Sequence, residues 1–141
     1  MCFEKAADNL LNFILEYQDM IPNDYENLNQ HEIKAAGGKV ISTGIVNNKF
    51  MSIARTHFTS QGMTMNWHAH KEGETIILQR GAPLYIEIKG VKDCIKVTTG
   101  RACYVPPNTP HRLAGTEGES WAIVVLIPGS DTFPAGVENG N

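Results

Sequence analysis

Long apolar runs are missing from this 141-residue chain, and nothing in it approaches the roughly 20 consecutive apolar residues that a membrane-spanning helix requires. Cysteine is scarce. Cys2, Cys94 and Cys103 are an odd number with no Cys-x-x-Cys pair, which argues against a disulfide framework and for reduced thiols in the cytoplasm. Positive charge is concentrated nowhere: the net charge is -3, the pI is near 5.9, and lysines and arginines are scattered. Without a basic stripe to hold a phosphate backbone, nucleic acid is not an expected partner. Internal repeats and low-complexity blocks are absent as well. The apolar stretch near the N-terminus is interrupted by Glu4, Asp8 and Glu16 and lacks a basic lead-in and a small-residue cleavage site. It therefore reads as neither signal peptide nor membrane span.

What remains is enough for one domain with a core of its own. Phe3, Ala7, Leu10, Leu11, Ile14 and Leu15 recur at helical spacing, so residues from about Glu4 to Gln18 read as an amphipathic α-helix ended by Pro22. A polar connector with room for one extended segment runs from there to Gly38. The period then changes to two. Short runs rich in Val, Ile, Thr and Phe cover Val40–Val46, Phe50–Thr59, Met63–His70, Glu74–Gln79, Leu84–Lys89, Cys94–Thr98, Ala102–Val105, His111–Ala114 and Trp121–Ile127, separated by Gly, Asn and Pro. The expected organisation is a helix and connector over residues 1–38, an all-β barrel or sandwich over 39–128, and a loose tail over 129–141.

One stretch carries chemistry. His68 and His70 are separated by a single residue, and a carboxylate, Glu74, follows across Gly73. On an extended strand side chains alternate, so the two imidazoles leave one face and can converge on one ion, whereas on a helix they would diverge. Isolated His-x-His pairs also occur as solvated strand edges. Glu72 is the competing carboxylate, but it sits in the turn itself.

The spacing Gly62, His68, His70, Glu74, Gly81 resembles the first motif of the cupin superfamily. Gly100 together with Pro106-Pro107-Asn108-Thr109-Pro110-His111 resembles the second. The resemblance spans roughly residues 40 to 127. Asn108 stands where the family usually has glycine, Gly115 where it often has asparagine, and Arg101 where it often has aspartate. Asn best tolerates a left-handed backbone, so Asn108 can make the same turn. The resemblance implies a cupin-type double-stranded β-helix, an RmlC-like jelly-roll barrel, with the N-terminal helix as an addition. It also implies a ligand set of His68, His70, Glu74 and His111, and a homodimer. Three imidazoles and a carboxylate suit one divalent transition metal per chain (iron, nickel, zinc, manganese or copper) rather than calcium. In an octahedral arrangement two positions would stay open for water, dioxygen or a bidentate substrate.

If the strand from Met63 to His70 is continuous, Thr64 and Asn66 share the inner face with the histidines, as do Ile76 and Leu78 of the next strand. Met63, Met65 and Trp67 then form an apolar outer row that the helix or a second subunit must cover. Gly73 is expected to permit the reversal that brings Glu74 back, and Pro110 to hold the approach to His111. Arg80 shares Glu74's parity and is either a carboxylate binder or a solvated strand end. His57 could approach an ion as a base, though a surface or core role is the simpler reading. Tyr104 is a candidate acid or a packed strand residue. Cys103 is a small buried hydrophobe, and His31 has the weakest claim.

Three functions follow. The first is a metal-dependent enzyme, of dioxygenase, lyase or isomerase type, acting on a small organic molecule inside the barrel, with no catalytic residue assigned. A lyase group within the family carries a tyrosine two residues after the glutamate, where this chain has Ile76. The second is a binding module that senses a metal or small ligand without turnover. The third is a metal-free sugar epimerase, which would have no use for the four ligands.

Overall fold

The structure, a computed structural model, describes residues 30–130 together with the backbone of residues 137–138. The amphipathic helix expected over Glu4–Gln18 lies outside the described residues. Thirteen strands follow in chain order: β1 (Gln30–Ile33), β2 (Ala35–Ala36), β3 (Val40–Asn47), β4 (Ser52–Phe58), β5 (Thr64–Met65), β6 (His68–Ala69), β7 (Gly73–Gly81), β8 (Leu84–Ile88), β9 (Ile95–Val97), β10 (Ala102–Val105), β11 (His111–Thr116), β12 (Ser120–Ile127) and β13 (Val137–Glu138). Among the described residues there is no helix, and none long and apolar enough to cross a membrane.

All pairings are antiparallel. A six-stranded sheet runs in the order β1-β3-β4-β12-β7-β10, a five-stranded sheet in the order β13-β6-β11-β8-β9, and β2 and β5 form a small ribbon. Two sheets exchanging consecutive strands across a shared core make a jelly roll, which leaves few open edges. Residues 30–36, in the polar connector, hold two strands rather than one extended segment, and β1 extends the larger sheet through its pairing with β3.

Period-two alternation decides the two faces. On β7 Ile76 and Leu78 turn inward, and with Leu84, Ile86, Leu113 and Val97 from the facing sheet they form the core, Leu78, Leu84 and Val97 being essentially inaccessible. The intervening Ile77, with Ile53, Ile123 and Val125, makes a second apolar cluster on the other face of the six-stranded sheet.

The run Met63–His70 is not one strand. β5 pairs with β2, whereas β6 pairs with β11 and β13, so the chain changes sheet at Asn66–Trp67 and the alternation restarts. This corrects the expected outer row. Met63 is fully buried in the core, Met65 faces the barrel interior, and Trp67 lies half-buried beneath the Arg112 guanidinium, 4.9 Å away. Thr64 and Asn66, expected inside, are exposed.

Gly73 also plays a different part from the one expected. Its backbone φ is not in the left-handed region, so no reversal depends on it. A side chain there would come within 2.7 Å of the Tyr104 hydroxyl, and the missing Cβ is what lets that ring lie against β7. Asn108 does adopt the left-handed conformation, at φ 56°. Its N–H donates to the His70 carbonyl at 2.6 Å, fastening the loop before β11 to the segment that carries the histidines.

Two substitutions test these placements. Leu78→Ala leaves a cavity in the closed core and is expected to cost about 2–5 kcal/mol by denaturant titration. Asn108→Val forces a β-branched residue into positive φ and is expected to cost of order 1–3 kcal/mol, whereas Asn108→Gly stays within about 0.5 kcal/mol of the parent.

Candidate metal centre

Four pieces of the barrel converge on one point. His68 is in β6 and His111 in β11, directly opposite each other in the five-stranded sheet. Glu74 comes from β7 of the six-stranded sheet, and His70 from the segment between β6 and β7. One ligand atom from each residue lies within 4.8 Å of all the others, with His70, Glu74 and His111 buried and His68 partly so. The imidazoles meet at angles, His68 against His111 at 4.3 Å between ring centroids and 59°, His68 against His70 at 5.4 Å and 75°. They do not stack, so ring packing is not what brings them together.

Hydrogen bonds orient two of the rings from behind. His68 Nδ1–H donates to the Asn66 carbonyl at 2.9 Å, and His111 Nδ1–H donates to the Thr109 carbonyl at 2.9 Å. Each bond directs the Nε2 of its ring away from the backbone, an orientation typical of metal-ligating histidines. Asn66 thus serves the site through its carbonyl and not its side chain. On the inner side, Glu74 Oε2 lies 2.7 Å from His70 Nε2 and Oε1 lies 3.2 Å from His111 Nε2. His70 Nδ1 is buried without a partner, an omission that costs stability and commonly marks a functional site.

The electrostatics follow from this crowding. Burial works to raise the pKa of Glu74, but the hydrogen bonds from His111 and His70 outweigh it and hold the carboxyl well below its usual range. His111 is shifted up: burial opposes its charge, and the Glu74 hydrogen bond and charge more than offset that. His68 is shifted down, first by burial and then by the neighbouring His111. The cluster is an anion wrapped by three imidazoles, a donor set of borderline nitrogen and hard oxygen that could hold a divalent transition ion.

The cluster opens on a cavity of about 70 Å³, several times the roughly 10–15 Å³ that one water needs. Its wall is mainly apolar, including Ile33, Phe58, Met65, Ile76, Leu113 and Val124. Ile33 belongs to β1, in the stretch read as connector. Sequence reasoning also missed Ser42 and Thr56, whose hydroxyls stand 3.3 Å apart in the wall. The period-two parity of β3 and β4, traced from their apolar positions, was the signal that could have found them.

The other candidates lie elsewhere. His57 is on the outer face of β4, bonded to Glu119 at 2.7 Å and stacked on Trp121 at 4.7 Å, so it is not a base at the cluster. A bulge between Trp121 and Ala122 resets the pairing of β12 with β7, and Arg80 turns outward over the Trp121 ring at 4.0 Å. Tyr104 is 59% exposed, on the face opposite the cluster. Cys103 is a buried hydrophobe, its thiol pushed up to about 11 by burial and by the Glu74 charge. His31 is exposed on β1, and Glu72, only partly buried, stays outside the four-residue group.

No protein-family model and no curated protein matches the chain. Solved structures do. KdgF from a Halomonas species is 19% identical with a TM-score of 0.59, the match covering 75% of this chain and 93% of that one. An RmlC-like cupin from Shewanella frigidimarina is 19% identical with a TM-score of 0.60, over 74% and 88% of the two chains. A predicted oxalate decarboxylase from Thermotoga maritima is 16% identical with a TM-score of 0.59, over 74% and 96%. At such identities the likeness is one of architecture, and with the two-sheet topology it gives a plain result: this chain has the cupin fold.

Proposed function

We propose that the protein is a metal-dependent enzyme of the cupin type, holding one divalent transition ion through His68, His70, Glu74 and His111 and acting on a small organic molecule in the barrel. The observation that carries the reading is the convergence of four ligand atoms within 4.8 Å on the wall of a mainly apolar cavity. The residues fit such an ion on their own chemistry. Two imidazoles have their outer nitrogens tied to backbone carbonyls, the third has a buried nitrogen without a partner, and a single carboxylate leaves a net positive charge on the centre. When bound, a divalent ion supplies Lewis-acid polarisation of a substrate oxygen or, if redox-active, an electron partner for dioxygen.

The chain's own residues do the rest. The mainly apolar wall lowers the local dielectric and so strengthens the electrostatic interactions at the cluster. Apart from the cluster, the titratable group on the described wall is Arg112, whose Nε donates to Glu87 at 2.6 Å. On the described wall the side chains suited to general acid–base work are therefore those of the cluster. That scarcity favours a second reading, a module that binds a small ligand without turnover. The likeness to a predicted oxalate decarboxylase supports the enzymatic reading only as a class.

A cytoplasmic address belongs to the same proposal, supported by the unpaired Cys94 and Cys103. A homodimer is supported by the family resemblance alone, because in the apolar row offered for it Met63 and Met65 turn inward and Trp67 is half covered beneath Arg112.

Calorimetric titration of metal-stripped protein with zinc is expected to give one site per chain, weakened by more than the 10–100-fold typical of losing a supporting partner when His111→Ala or Glu74→Gln removes a ligand. Because Glu74 strengthens the hold of His111 on its proton, the ion competes with that proton. Affinity should rise between about pH 6 and 8, with protons released on binding. Unchanged affinity in both variants would remove the four-ligand assignment. Metal-dependent loss of a compound from a panel of diketones, thiols and catechols, followed by NMR, decides for the enzyme; binding without loss decides for the module.

A further inference from the structure

The cavity wall is apolar over most of its surface, and the hydroxyls of Ser42 and Thr56 interrupt it. Both residues are buried, 1% and 4% exposed, and they face each other across β3 and β4 as direct register partners. Their hydroxyls make a single hydrogen bond, 3.3 Å long, to each other. Two hydroxyls hold two donors and four lone pairs, and one bond between them uses one donor and one lone pair. One O–H and several lone pairs are left facing an apolar space, where an unmet polar group costs about 1–3 kcal/mol. A ligand atom or an ordered water must answer them.

Position separates this pair from the metal cluster. Glu74 is level with Leu126 of β12 and, through it, with Ser52 of β4. Thr56 is four residues further along the same strand, on the order of 13 Å at the usual rise. Between the two levels the wall is Ala54, Ile76 and Val124. A molecule that touches both must be elongated, apolar along its middle, and polar at both ends. The distal end has hydroxyls to meet and no cation: Arg112, the cationic side chain of the wall, sits beside His111 with its Nε held by Glu87. A carboxylate or phosphate placed at Ser42 and Thr56 would be desolvated without a counter-charge, which costs far more than one hydrogen bond returns. A polyhydroxylated sugar would bury more hydroxyls than the wall has partners for.

We propose that Ser42 and Thr56 are the distal recognition point of the cavity, and that its ligand is a small, uncharged, mainly apolar molecule carrying a carbonyl, ether or alcohol oxygen at the end remote from His68, His70, Glu74 and His111. This deepens the reading of the barrel as a substrate site, and its test is arranged to be independent of the metal.

The test uses full-length protein, stripped of metal and in parallel loaded with zinc, and amide NMR titrations with 2-hexanone, hexanoate and 1-chlorobutane. The ketone is expected to bind the stripped protein and to shift amides of β3 and β4. Thr56→Val and Ser42→Ala should each weaken it roughly three- to tenfold, while 1-chlorobutane, which needs no hydrogen bond, binds the variants as it binds the parent. That control shows the cavity intact in the variants. Hexanoate should bind the stripped protein at least about tenfold more weakly than the ketone. Ketone affinity unchanged in the Ser42→Ala, Thr56→Val double variant, equal binding of hexanoate by stripped protein, or no ketone binding at all would each overturn the proposal. Failure of zinc to bind would overturn the metal reading and leave these ketone results standing.

Discussion

The Glu74 carboxylate, buried between two sheets and held by two imidazoles, is the constraint around which the rest of the barrel is arranged. A carboxylate with 5% of its surface exposed is costly unless its oxygens are met. Here His70 and His111 meet one oxygen each. Glu74 belongs to the six-stranded sheet and His111 to the five-stranded one, so the contact ties the two sheets together at one end of the core. The backbone details serve the same end. Asn108 in its left-handed turn fastens the second histidine-bearing segment to the first, and the carbonyls of Asn66 and Thr109 set the rotation of the imidazoles.

The same arrangement explains why the cavity is chemically plain elsewhere. A jelly roll fills its interior with alternate side chains of every strand, and β3, β4, β7 and β12 supply Val, Ala, Phe, Ile and Leu to that face. Apart from Arg112, whose Nε is held by Glu87, the charged and titratable groups of the wall are those of the cluster, where the carboxylate is met by imidazoles. A small molecule in this space meets one polar pole at the histidines and a second, weaker one at Ser42 and Thr56. Binding strength comes from the wall between them, and orientation from the poles.

Much of this was legible in the residues. Strands at Val40, Leu84, Ala102 and Trp121 are found within a residue or two of where alternation places them, because half-buried strands write their two faces into the sequence. The histidine and glutamate spacing, with the second-motif resemblance, pointed to four side chains that the fold brings within 4.8 Å of one another, and the tolerance of Asn for positive φ pointed to the turn that Asn108 makes. Alternation failed where its premise failed. The Met63–His70 run changes sheet midway, which put Met63 in the core and Thr64 in solvent, and a bulge between Trp121 and Ala122 turned Arg80 outward. Neither a sheet crossing nor a bulge is visible to a period-two count. Ser42 and Thr56 escaped notice because hydroxyls on strands are common, and their meaning depends on which wall they share.

The central claim is that His68, His70, Glu74 and His111 bind one transition ion. Anomalous diffraction from crystals of the protein grown with excess zinc, collected on both sides of the metal's absorption edge, addresses it directly. The account predicts one peak per chain between the four side chains, at roughly 2.0–2.2 Å from their nitrogen and oxygen atoms. It would be contradicted by crystals in which no peak appears there and Glu74 remains hydrogen-bonded to both His70 and His111.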